Sequence, residues 1–145
     1  MKQNVLFLVH VEEMFRQFFP DKLYIHRIIK ALSAKKYDRV FFLQSEVDEE
    51  GLANPLEMQV PDYDRICWGW GYEKGMFNED EHKWVIPALG HEYTWVPTEL
   101  RNMASELNDC NIFVGGGYSS ECLQDFLDCL DFLDLDYKKI HGYIY

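Results

Sequence analysis

The chain has 145 residues and a formal net charge of −11, with hydrophobic residues making up 48%. Such a chain can bury a core and is too apolar to be disordered. It lacks the clustered Lys and Arg that phosphate neutralisation needs, so it is not expected to bind nucleic acid. Its apolar runs are too short to span a bilayer. Met1-Lys2-Gln3-Asn4 enters an apolar segment directly, without a small-residue cleavage site, so no signal peptide is expected. Cys67, Cys110, Cys122 and Cys129 show no CxxC spacing and fit reduced thiols in a cytoplasmic protein. Ten Phe, nine Tyr and four Trp are rich for this length and suit a pocket or an interface.

In chain order, Val5 to His10 is near-continuously apolar, as in a central strand covered on both faces. Phe15, Phe18 and Phe19 lie in an expected loop closed by Pro20. Asp21 can cap a helix from about 22 to 36, with Ile25, Ile28, Ile29 and Leu32 on one face. Val40 to Leu43 reads as a second buried strand and Ile66 to Trp68 as a third. Residues 45 to 54 are acidic and loop-like. Gly69 to Gly75 fits neither nucleotide-binding motif and reads as a loop exposing aromatics. Trp84 to Ile86 is an expected short strand, ended by Pro87. A helix runs from Pro97 to about Leu107, facing inward through Leu100, Met103, Ala104 and Leu107.

Cys110 to Leu123 is the densest signal. Ile112, Phe113 and Val114 are strand-like, Gly115, Gly116 and Gly117 follow, and Ser119 and Ser120 stand where a helix N-cap belongs. This predicts a strand, a tight turn and a helix. Glycines there allow unusual backbone angles or close approach of a ligand. Cys122 would open the helix, where unpaired N–H groups and the helix dipole stabilise a thiolate or an anion. The alternative is a glycine-rich connection and a small buried Cys. The helix is expected to reach about Leu135. Its buried stripe would be Cys122, Phe126, Cys129, Leu130 and Leu133, with Asp125, Asp128, Asp131 and Asp134 in water. Tyr137 to Tyr145 reads as the last strand.

Strands alternating with helices imply a single α/β domain over 1–145: three layers, with a mostly parallel sheet of five or six strands and helices on both faces. Ligands on such sheets bind beyond the C-terminal strand ends, where His10, the Trp68 to Trp70 segment and the Gly115 to Cys122 turn would gather.

The order of parts resembles the isochorismatase-like cysteine hydrolases, which have a Rossmann-like fold. Gly116, Ser119 and Cys122 keep the spacing of that family's nucleophile turn, with Ser in place of Thr. Tyr93, Trp95, Thr98 and Leu100 fall in register with its preceding motif. His10-Val11-Glu12-Glu13-Met14-Phe15 matches its first-strand motif at Phe15. The resemblance implies Cys122 as nucleophile. The family's Asp position is His10 and its Lys position is Leu89, so the triad is incomplete. The metal-binding residues of nicotinamidases have no match in Ser45 to Asp48, and neither a metal nor another cofactor is expected.

Two functions follow. The chain is a divergent member that has lost hydrolysis and binds a small molecule or a protein partner. Alternatively, it is a cysteine hydrolase acting on a small amide, imide or ester through a Cys122/His10 dyad. Gly116, Gly117, Tyr118, Ser119, Trp68, Trp95, His91 and Phe15 are the candidate ligand-binding residues. Each also has a plain structural reading, as core, loop or interface. A homo-oligomer is left open.

Overall fold

The computed structural model describes residues 2–44, 64–67, 83–84, 94–95 and 98–145. The elements are β1 (Asn4–Val9), a 3-10 segment (Glu13–Phe18), α1 (Tyr24–Ser33), β2 (Arg39–Gln44), β3 (Asp64–Cys67), β4 (Lys83–Trp84) and β5 (Thr94–Trp95). They continue with α2 (Thr98–Leu107), β6 (Asn111–Gly116), α3 (Cys122–Phe132) and β7 (Lys138–Ile144). Five of the strands form one sheet in the order β3-β2-β1-β6-β7, every neighbouring pair parallel. β4 and β5 pair antiparallel in a separate two-stranded ribbon.

β1 lies centrally because it can bury both faces. Val5, Phe7 and Val9 pack with Leu100 and Leu107 of α2 and with Leu123, Phe126, Leu127 and Leu130 of α3. Leu6 and Leu8 pack on the opposite face with Tyr24, Ile25, Ile28 and Ala31 of α1. The period of two along a strand thus divides one apolar run between two cores, and helices cover both sides. Phe7 stacks on Phe41 at 4.9 Å and meets Phe126 at 5.2 Å between ring centroids. Burying each such ring contributes about 1.5–3 kcal/mol.

Several local expectations are corrected. Glu13–Phe18 forms a 3-10 segment rather than an open loop. α3 stops at Phe132, and Glu121, not Ser119 or Ser120, precedes it without a side-chain cap. Its buried stripe includes Leu123 and Leu127, while Cys122 and Leu133 are half-buried. Asp131 and Asp134 reach solvent, but Asp125 and Asp128 are half-buried, so the acidic face is not uniformly solvated. β6 runs on through Gly115 and Gly116, so the first two glycines belong to the strand.

Candidate functional site at the ends of β1 and β6

β2 and β3 lie on one side of β1, and β6 and β7 on the other. The chain therefore changes winding direction between β1 and β6, which is where open parallel sheets leave a crevice. Two chain segments leave the sheet there, His10 to Phe15 after β1 and Gly117 to Cys122 after β6.

The His10 amide donates to the Leu43 carbonyl at 2.9 Å, the last link with β2. His10 itself takes φ 52°, a left-handed conformation uncommon outside glycine. The chain turns there, and Val11 and Glu12 are buried in succession. Glu12 is 0% exposed and His10 2%, and the Glu12 carboxylate holds His10 Nδ1. Two ionisable side chains so deeply buried persist only when paired. The Phe15 ring lies 4.7 Å from the imidazole.

The β6 exit is closed by main-chain bonds. Gly117 donates to Val9 O at 2.9 Å, and Ser119 to Tyr145 O at 2.7 Å. Glu121 and Leu123 both donate to Tyr118 O at 3.0 Å. The Gly117–Tyr118 peptide is cis. Gly116 has φ +95°, and a Cβ there would overlap the Val9 main chain. A Cβ on Gly117 would overlap the Tyr145 ring. The glycines thus admit neighbouring protein atoms, the backbone of β1 and an aromatic ring, rather than leaving open room for a ligand.

Tyr145 joins the two exits. Its hydroxyl donates to the His10 carbonyl at 2.5 Å, and its amide donates to Gly116 O at 3.1 Å. Its ring meets Phe19, Tyr24 and Tyr118 edge-on. Burial pushes its phenol well above the ordinary value, so it stays a neutral donor. Tyr118 and Phe18 meet edge to face at 5.7 Å, 43% and 44% exposed, and form an aromatic rim.

Cys122 opens α3 as expected, but its thiol is not activated. Burial, then the charges of Asp125, Glu121 and Glu12, push it up to about 12. Burial and these carboxylates outweigh the help available from the helix terminus. Glu12 therefore relates the two predicted site residues, holding the His10 ring while its charge acts on Cys122.

Of the predicted ligand-binding residues, Phe15, Gly116, Gly117, Tyr118 and Ser119 gather at this edge with His10 and Cys122. Trp68 and His91 lie outside the described residues. Trp95 pairs through its backbone with Lys83 in the small ribbon. Sequence reasoning missed Glu12 and Tyr145. Glu12 had a signal, as it stands two residues beyond the strand end, beside His10 and before the phenylalanines. Among the described residues, no group of three or more His, Cys, Asp or Glu is placed to hold a metal ion. No helix among them is long and apolar enough to cross a membrane. No family model, curated protein or solved structure matches the chain.

Proposed function

We propose that the chain is a divergent isochorismatase-like protein that has lost the family's hydrolysis. In this reading it binds a small molecule or a protein partner at the crevice between β1 and β6. The observation that carries this reading is the closure of the β6 exit. Acyl-transfer sites need backbone N–H groups aimed at a developing oxyanion. Here the amides of Gly117, Ser119, Glu121 and Leu123 are already committed to Val9, Tyr145 and Tyr118 carbonyls. A thiol held protonated near the nucleophile position points the same way. Cys110, Cys122 and Cys129 form no disulfide among the described residues, which is compatible with a reducing setting.

The second reading, a hydrolase using Cys122 and His10, is favoured by one observation. A carboxylate on His10 Nδ1 is how many enzymes orient a catalytic imidazole. Alkylation separates the two. Burial and the neighbouring carboxylates push the Cys122 thiol up, so it stays protonated at pH 8 and iodoacetamide should modify it much more slowly than a free cysteine. It should still react faster than Cys129, which is fully buried. Rapid alkylation, with hydrolysis of a small amide or ester lost in both Cys122→Ala and His10→Ala, would establish the dyad instead.

A further inference from the structure

The edge of the sheet opposite the crevice carries a cleft of about 500 Å³, within the range of small-molecule sites. It lies where β6 begins, and β6 is six residues long, so the two places stand roughly 20 Å apart. Local bonds hold the walls of the cleft. After α2, the amides of Asn108, Asp109 and Cys110 donate to the Ala104, Glu106 and Leu107 carbonyls at 3.0, 3.1 and 3.0 Å. Those oxygens, at the negative end of the helix, are thereby engaged within the turn. The Asn111 amide donates to Gln3 O at 2.8 Å, and its side chain donates to Asn4 Oδ1 at 3.0 Å. These bonds fasten the start of β6 to the segment that carries Lys2. On the other side of β6, Lys138 pairs with Phe113 as β7 begins. Lys2 and Lys138 both line the cleft, and Ile112 and Tyr137 supply apolar surface between them.

The charge of this lining is opposite to that of the chain. Overall, 14 Lys and Arg stand against 25 Asp and Glu. The cleft sets Lys2 and Lys138 against Asp136, and Asp109 of the adjoining turn does not line it. Among the described residues the ion pairs use Arg16, Arg27, Arg39 and His10, and neither lysine takes part in one. Two ammonium groups on flexible stems, neither of them ion-paired, make the cleft a local positive site on an acidic protein. We propose that it is a second ligand site, which takes a small organic carboxylate. The negative group lies between Lys2 and Lys138, and the apolar part lies against Ile112 and Tyr137. Two positive charges less one negative leave +1, which balances a single carboxylate. A phosphate group, at about −1.5 to −2, would be left under-neutralised. The site does not depend on the reading of the crevice.

Benzoate and benzyl alcohol share a ring and nearly the same size, and only benzoate carries the charge. With the whole chain labelled with ¹⁵N, benzoate should shift the amides of Asn108, Asn111 and Lys138 saturably. Benzyl alcohol should bind on the order of tenfold more weakly. Added salt should weaken the benzoate response, because both lysines are exposed to solvent. The double variant Lys2→Gln, Lys138→Gln should lower benzoate binding to the level of benzyl alcohol. The comparison of probes on the unmodified chain holds whether or not that variant folds. Equal binding of the two probes would overturn the carboxylate assignment. Benzoate binding that survives in the folded double variant would overturn the role of the lysines. Saturable shifts confined to Gly117 and Tyr118, or no saturable shift at all, would overturn the site.

Discussion

The two exits from the sheet, one after β1 and one after β6, differ in the opposite sense to their sequences. The β6 exit carries three glycines, two serines and a cysteine, a pattern that advertises a reactive turn. In the structure the amides of Gly117, Ser119, Glu121 and Leu123 are spent on carbonyls, and a Cβ on Gly116 or Gly117 would meet Val9 or Tyr145. The β1 exit, His10-Val11-Glu12, offers one candidate, His10, and no glycine. It holds the buried ionisable pair. Glycine shows where backbone must pass closely, and what passes can be the protein itself. A buried carboxylate beside a buried imidazole, by contrast, costs stability that packing alone does not recover, so it is the stronger mark of a site.

This contrast can be broken by mutation. Gly116→Ala should have the largest effect, because it adds a methyl against the Val9 main chain at a φ of +95°. The expected loss is about 3 kcal/mol by urea denaturation. A neutral substitution would show that the turn has room to spare, and the ligand-facing reading of the glycines would return. Glu12→Gln should cost about 2 kcal/mol, since both partners are buried and the charge-assisted bond is lost. If it stabilises the fold instead, the pair is being held against its own desolvation cost, which would sharpen the case for function. Tyr145→Phe removes one neutral hydroxyl bond to His10 O and should cost about 1 kcal/mol. A wild-type value would mean that ring packing alone holds the two exits together. Ser119→Ala should change stability by less than about 0.5 kcal/mol, because the side chain is exposed and α3 has no side-chain cap. A larger loss would restore Ser119 as the helix cap.

The α/β class, the parallel pairing and the central place of β1 were readable because they follow from apolar runs and their spacing. Val5 to Val9 is apolar at every position, and only a strand covered on both faces uses such a run. The helix over Thr98–Leu107 followed in the same way from Pro97 and the spacing of Leu100 and Leu107. The site was less legible because its bonds join residues far apart in the chain. Nothing local links Tyr145 to His10, 135 residues away, or Tyr24 to the Tyr143 carbonyl, 119 residues away. Cys122 shows a different failure. Its helix-terminal position was read correctly, but its acidity depends first on burial, then on Asp125 and Glu121 beside it and on Glu12 from the segment after β1.

The span of the Tyr145 contact also bears on how the protein is made. Residues 4 to 44 contain β1, α1 and β2, and these can associate early through contacts of modest sequence separation. The backbone of His10 waits for a hydroxyl that leaves the ribosome 135 residues later. At an elongation rate of roughly 5–20 residues per second, that is about 7–27 seconds of synthesis. During that interval the Tyr24 hydroxyl also lacks its acceptor on Tyr143. A nascent chain therefore acquires β1, α1 and β2 well before the contact that joins the β1 exit to Tyr145.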